Sequence, residues 1–209
     1  MITFGIITNG ERLPHLLREI DSIKAMNVPE YEIIVAGNTT ILPPEVKPIP
    51  MHGHAERGQL GAMRNEICRQ AQGEIIAIAD DDILYHSDWY TGLLDFGNDW
   101  EVMCTRMLNP DGTRNWDWVT KGGARGHGLI EYWETDPFLY VTGGRIILKR
   151  EVFDKAQWDE ERGFAQEEDV DFTRRLQKAG VSIKMNKRMT VTHDDPRYTS
   201  VGHTIYRTR

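Results

Sequence analysis

The sequence predicts an α/β fold, a mainly parallel sheet flanked by helices. Three observations carry that reading. Thr3 to Thr8 and Tyr31 to Ala36 are short apolar runs on either side of a segment that keeps Leu13, Leu16, Leu17, Ile20 and Ile23 on one helical face; this is a strand, helix, strand unit, which implies parallel pairing. The stretch from Gly61 to Ile83 reads as helix, glycine and strand again. Its strand ends in Asp80, Asp81 and Asp82, and the carboxyl ends of strands are where open α/β sheets bind ligands.

Composition narrows the field. A length of 209 residues predicts one domain, or one domain with a small appendage, and is enough to bury a core without staples. The net charge of −7 argues against a general nucleic-acid binder. Cys68 and Cys104 lie far apart with no metal-like spacing, and a buried free thiol is the expected role of Cys68. No apolar run approaches the roughly 20 residues of a membrane span. The chain passes from its first residue straight into a strand with no cleavage signal, so a cytoplasmic, reducing compartment is the expectation.

Taken in order, Asn9-Gly10 ends the first strand, and Pro14 is tolerated in the first turn of the helix that follows. Gly37-Asn38-Thr39-Thr40 follows the second strand. Ile41 to Pro50 holds four prolines and reads as an extended connection. His52-Gly53-His54 reads as a loop, with no third metal ligand nearby in sequence. Leu60, Met63, Ile67 and Ala71 recur at helical spacing, with Gly73 placed as the left-handed stop. Ile75 to Ala79 is a strand buried on both faces. Ser87-Asp88 reads as the cap of a helix over Trp89 to Phe96. Trp100 to Leu108 is a further strand.

Residues 109–128 read as loop, with a Pro110-Asp111-Gly112 turn and Trp116 and Trp118 beside Gly122, Gly123, Gly126 and Gly128. That composition suits a segment that closes over a ligand; the same tryptophans would equally pack on the sheet. Phe138 to Lys149 gives two apolar runs around Gly143-Gly144, and Val152-Phe153 opens a short helix. Gly163 to Gly180 carries Phe172, Leu176 and Ala179 on a helical face, with Glu167, Glu168 and Asp169 at its start. Val181 to Met185 and Met189 to Thr192 read as two last strands, followed by His193-Asp194-Asp195. The tail from Arg197 to Arg209 is basic and aromatic.

The aspartates carry the chemistry. In an extended backbone Asp80 and Asp82 point one way and Asp81 the other. Three adjacent carboxylates repel one another unless a cation sits among them, and a hard divalent ion such as Mg²⁺ or Mn²⁺ suits oxygen ligands. The same acids would also serve simply to open a surface loop. Arg64, on the preceding helix, is a phosphate ligand or a partner for a nearby acid such as Asp80.

Gly61, Met63-Arg64-Asn65, Gly73-Glu74, Ile75 to Ala79 and Asp80-Asp81-Asp82 together resemble the family 2 glycosyltransferases. In that family a glycine-containing turn, an A-R-N-like triplet, a G-E-strand and the aspartate cluster called the DXD motif follow in this order. The resemblance implies the GT-A fold in a single domain. Residues 1–108 would form the nucleotide-binding half, 109–196 the acceptor and catalytic half, and 197–209 a basic tail. It implies a donor nucleotide-diphosphate sugar, with UDP or GDP favoured, and a glycan, lipid-linked or small-molecule acceptor. It places Mn²⁺ or Mg²⁺ on Asp82, Asp80 and His193, and the donor on Thr8, Asn9, Asn38, Arg64, Asp80, Asp81 and Gly144. Trp116 and Trp118 are candidates for the acceptor. The E-D pair implied for inverting members falls at Glu168-Asp169, with Asp169 as general base and Glu168 beside the acceptor.

One departure stands out. The family often ends its second strand with an acidic D-D-G-S-like run, and here Gly37-Asn38-Thr39-Thr40 stands in that place, which leaves the base open. Two rivals share parts of this pattern. A nucleotidyltransferase wants a G-x-G-x-R-like loop, against which only Thr8-Asn9-Gly10-Glu11-Arg12 can be set. A binding module of the same fold would need no intact Asp80, Asp82 and Asp169.

Overall fold

The structure is a computed structural model that describes residues 1–39 and 41–195; the expected role of the tail and of Thr40 lies outside them. In chain order the elements are β1 (Ile2–Thr8), α1 (Leu13–Ala25), β2 (Tyr31–Gly37), β3 (Val46–Pro50), α2 (His52–Glu56), α3 (Leu60–Gln70), β4 (Ile75–Asp80), β5 (Ile83–Tyr85), α4 (Asp88–Phe96) and β6 (Val102–Leu108). Then come β7 (Val119–Gly122), β8 (Gly126–Leu129), β9 (Leu139–Tyr140), β10 (Arg145–Lys149), α5 (Val152–Lys155), α6 (Glu168–Lys178) and β11 (Ile183–His193).

An eight-stranded sheet runs in the order β3-β2-β1-β4-β10-β6-β11-β5, and a three-stranded sheet in the order β8-β7-β9. In the large sheet only β10 and β5 run against their neighbours. The period-2 alternation of buried strands divides the core. Ile76 and Ile78 of β4 and Ile7 of β1 pack with Met63 and Ile67 of α3 and Phe172 and Leu176 of α6. Ala77, Ala79, Phe4 and Ile6 pack on the other side with Leu16, Ile20 and Ile23 of α1 and Trp89 and Leu93 of α4.

Several expectations change. Residues 109–128 hold a hairpin, β7 and β8, rather than a bare loop. The positive φ angles of Gly122 and Gly123 make its turn, and a Cβ on either would meet the Phe138 ring at 2.7 Å. The Pro-rich connection ends as β3, an edge strand, the position in a sheet that tolerates prolines. His52–Glu56 is a short helix. The two last strands are one, β11, with a register shift between Asn186 and Thr190. Gly73 does not cap α3, which ends at Gln70; its N–H donates to Thr3 Oγ1 at 2.9 Å, and a Cβ there would lie 2.5 Å from the Thr3 nitrogen. Ser87 makes no side-chain cap, and Asp88 instead accepts from Thr190 Oγ1 at 2.8 Å. Gly180 does end α6, at φ +72°.

Both cysteines are buried and unpaired, and burial pushes each thiol up to about 12. Among the described residues no helix is long and apolar enough to cross a membrane.

Helix α3 presses closely on β1. A Cβ on Gly5 would lie 2.4 Å from Ile67 Cγ2, and Ile67 is fully buried. Gly5→Ala is therefore expected to lower stability by about 1–3 kcal/mol, the usual cost of overpacking. In urea titrations the loss should be smaller in an Ile67→Ala background, where Cγ2 is gone. Strictly additive losses would show that this contact does not limit the approach of the helix.

Candidate active site

Sheet register brings the site together. Thr8 pairs with Gly37 and Ile7 with Asp80, so β1, β2 and β4 end side by side. Arg145 pairs with Ala79, which sets Gly143-Gly144 beside Asp80. His193 pairs with Ile83, which sets it beside Asp82. The strand ends at Asp80, so the three aspartates do not simply alternate. Asp80 turns to Arg64, while Asp81 and Asp82 both meet Arg12.

Each carboxylate has its own surroundings. Asp81 accepts from Thr8 Oγ1 at 2.5 Å, and burial raises its pKa. Asp82 is 1 % exposed. Burial works against its charge, but His193, whose Nε2 lies 3.2 Å from Asp82 Oδ2, and Arg12 hold it below the usual carboxylate range. Asp82 Oδ1 is buried without a hydrogen-bond partner among the described residues. Asp80 is pushed up to about 6 by burial, against the pull of Arg64 and with Asp82 and Asp81 adding to the rise. Its backbone N–H donates to the Gly144 carbonyl at 3.0 Å.

Arg64 joins the two acidic motifs. It is 1 % exposed, with Nη2 3.2 Å from Asp80 Oδ1 and Nη1 3.4 Å from Glu168 Oε1. It therefore ties these two carboxylates together from a buried position. A Cβ on Gly143 would meet Glu168 Oε1 at 3.0 Å and Arg64 Nη2 at 3.1 Å, so any side chain there would crowd the bridge.

Asp169 follows Glu168 in the first turn of α6. Its Oδ2 accepts the Gly143 N–H at 3.2 Å, and its Oδ1 accepts the Val170 N–H at 2.8 Å. Burial and then Glu168 raise its pKa, with those two N–H groups and Arg64 opposing. Just upstream, Ala165 and Glu167 hold φ angles of 61° and 58°. Left-handed backbone at non-glycine residues costs on the order of 1 kcal/mol each and persists only where packing imposes it.

A cleft of about 780 Å³ opens beside these groups, lined in part by Thr8, Asn9, Arg12, Arg57, Asp80 and Phe164. Asn9 stands at its edge with Nδ2 donating to Glu11 at 3.1 Å. Asn38 Oδ1 lies 2.8 Å from His52 Nδ1. Trp116 sits apart, its ring 4.9 Å from that of His127. Trp118 is no surface platform. It is 3 % exposed in the core, and its Nε1–H donates to the Glu134 carbonyl at 3.0 Å.

The donor chemistry around Asp82 fits a hard divalent cation, because its buried Oδ1 has no hydrogen-bond partner among the described residues and an imidazole nitrogen of His193 stands 3.2 Å from its Oδ2. Among the described residues, however, no three His, Cys, Asp or Glu side chains are spaced to hold a metal ion as they stand. Sequence reading did not single out Arg12, Phe164 or Glu19 for this site. Glu19 left one signal, an acid on the apolar face of α1 between Leu16 and Ile23.

A family profile described as Glycosyl transferase family 2 matches residues 4–156. No curated protein matches the chain. Among solved structures, GalNAc-T7 with UDP, GalNAc and Mn²⁺ superposes with a TM-score of 0.69 at 14 % identity, covering 92 % of this chain and 43 % of its own. S. aureus TarS 1–349 in complex with UDP-GlcNAc gives 0.63 at 17 %, covering 99 % and 64 %. The catalytic domain of Drosophila β1,4-galactosyltransferase 7 with xylobiose gives 0.61 at 15 %, covering 94 % and 71 %. This chain thus spans less than half of the first of these and under two thirds of the second. All three share the GT-A fold seen here.

Glu19 gives a test of the ground beneath the aspartates. It is fully buried, with Oε2 3.4 Å from the Ile83 nitrogen and Oε1 unpartnered among the described residues. Burial, then Asp82 and Asp81, hold its carboxyl well above the usual range. A raised folded pKa contributes stability that is fully present below the unfolded value of about 4.3 and is lost as pH rises toward the folded one. Glu19→Gln removes that loss. Its melting temperature should match the natural chain near pH 4 and exceed it increasingly toward pH 8; a constant offset across that range would mean that Glu19 is not held protonated.

Proposed function

The chain belongs to glycosyl transferase family 2, and from that premise we propose that it is a metal-dependent enzyme that moves a sugar from a nucleotide-diphosphate sugar to an acceptor hydroxyl with inversion. The observation that carries the reading is the buried Arg64 bridge, which sets the Glu168-Asp169 pair beside the aspartate cluster at the strand ends. UDP is the favoured donor nucleotide, since solved structures of the same fold carry UDP or UDP-GlcNAc; GDP is the second choice. Glycan, lipid-linked and small-molecule acceptors all remain within the proposal.

Asp82 with His193, and Asp80 at the edge, would hold Mn²⁺ or Mg²⁺, which when bound would neutralise charge on the diphosphate leaving group. Thr8, Asn9 and Asn38 line the strand ends where the nucleotide would lie. Gly144 gives its carbonyl to Asp80 and keeps the backbone close to that carboxylate. Asp169 would accept the proton of the acceptor hydroxyl as its oxygen attacks the anomeric carbon. Its raised pKa suits a base better than an ordinary exposed aspartate would, since base strength grows with pKa. The Gly143 and Val170 N–H groups orient it. Glu168, fixed by Arg64, would present its second oxygen to the acceptor. Trp116 is the remaining aromatic candidate on the acceptor side.

Two measurements test this. Thermal melts with UDP and with GDP, each with and without Mn²⁺, should show a metal-dependent rise for one nucleotide that is lost in Asp82→Ala. With that donor, Asp169→Asn should lower kcat by about 10²–10⁴-fold, the range of general-base catalysis, while the melting shift with nucleotide and metal persists. Loss of the shift in Asp169→Asn would make the residue part of donor binding. No shift with any nucleotide in the natural chain would overturn the transferase reading.

A further inference from the structure

Arg12 stands where a cation would be needed. It lies at the entry to α1, with Nη1 on Asp82 Oδ2, Nη2 3.1 Å from Asp81 Oδ1 and Nη1 3.9 Å from Asp195 Oδ2. His193 Nε2 reaches the same Asp82 oxygen at 3.2 Å. The carboxylates are buried, whereas the Arg12 side chain is 34 % exposed. It also lines the cleft that holds Thr8, Asn9 and Asp80. The long arginine stem allows the guanidinium to turn from one anion to another without moving α1.

A guanidinium and a divalent cation cannot both sit at contact distance on one carboxylate oxygen without strong repulsion. We propose that Arg12 is an internal counter-ion that competes with the divalent cation for Asp82, and that on displacement it turns into the cleft and binds the donor diphosphate. This rests on the donor-site reading above. In the free protein Arg12 neutralises the aspartates and weakens cation binding. Bound diphosphate gives the guanidinium another anionic partner, so nucleotide and metal each strengthen the other by the same factor.

Mn²⁺ binding to the free protein, read by the loss of the free-ion electron paramagnetic resonance signal, tests the first half. The natural chain, Arg12→Gln, Arg12→Lys and Asp82→Asn would be compared, each checked for native circular dichroism. Arg12→Gln is expected to bind Mn²⁺ about tenfold more tightly than the natural chain, a typical coupling between sites, with Arg12→Lys closer to natural. Equal or weaker binding by Arg12→Gln, with Asp82→Asn abolishing binding, overturns the competition and leaves the donor-site reading intact. No Mn²⁺ binding by any form overturns both. If Arg12→Gln does not fold, Arg12→Met decides by the same comparison, because it keeps an unbranched stem and removes the charge. At saturating Mn²⁺, Arg12→Gln should weaken UDP and GDP alike by about tenfold, as loss of a diphosphate contact requires; unchanged affinity for both overturns the second half.

Discussion

The buried guanidinium of Arg64 is the constraint on which the site depends. It lies under the end of β4 and the start of α6, and it touches a carboxylate from each. A charge with 1 % exposure is tolerable only when it is paired. The pairing also fixes its surroundings. A side chain on Gly143 would crowd the pair, Asp80 turns to Arg64 from the strand end, and Glu168 opens α6. Buried ion pairs add little net stability over apolar packing, but breaking one leaves a stranded charge. Here two carboxylates would be stranded, in a region that already carries Asp81, Asp82, Asp169 and Glu19.

Two arginines thus serve one acidic cluster in different ways. Arg64 cannot leave, because the core surrounds it. Arg12 is partly exposed and faces an open cleft, so its partners can be exchanged. The difference in burial separates a fixed scaffold charge from a mobile one. The aspartates divide accordingly. Asp80, held by Arg64, belongs to the bridge between β4 and α6, and Asp82, shared by Arg12 and His193, belongs to the exchangeable position.

Much of this was legible in the chain. The buried strands announced themselves by continuous apolar runs, and α1, α3 and α6 by their spacing. Asp80 to Asp82, Arg64, His193 and the Glu168-Asp169 pair were all named from sequence, and the structure places them at one end of the sheet. What was not legible depended on contacts distant in sequence. Trp118 beside glycines reads like an exposed platform, yet its ring fills the core beneath the small sheet and its N–H finds a backbone carbonyl. Gly73 looks like a helix stop, but its lack of a side chain is required by Thr3, a contact 70 residues away. The proline-rich segment hides β3 because an edge strand leaves one side of its backbone unpaired. Arg12 entered the sequence reading only as the end of a run set against a nucleotidyltransferase loop, since nothing local shows that its head reaches across to Asp82.

The family profile ends at residue 156, before Glu168 and Asp169. Membership of the family therefore speaks for residues 4–156 and says nothing directly about α6. The solved relatives extend the likeness over most of the chain, but at 14–17 % identity they speak only for the fold. The proposal for Asp169 stands instead on contacts within this molecule. Arg64 lies inside the matched region and Glu168 outside it, and a 3.4 Å ion pair joins them. Gly143 lies inside and Asp169 outside, and a 3.2 Å hydrogen bond joins those. A helix docked for packing alone would need neither contact, because Phe172 and Leu176 already supply its apolar face. Thr173 and Gln177 add polar contacts to Val141 and Leu139 further along the helix, but the contacts to Arg64 and Gly143 lie in its first turn, and there they fix which carboxylate is tied down and which is oriented from one edge. Glu168 is held by a charge. Among the described residues Asp169 is held by backbone N–H groups, and in the proposal that leaves it the one of the pair suited to take up a proton.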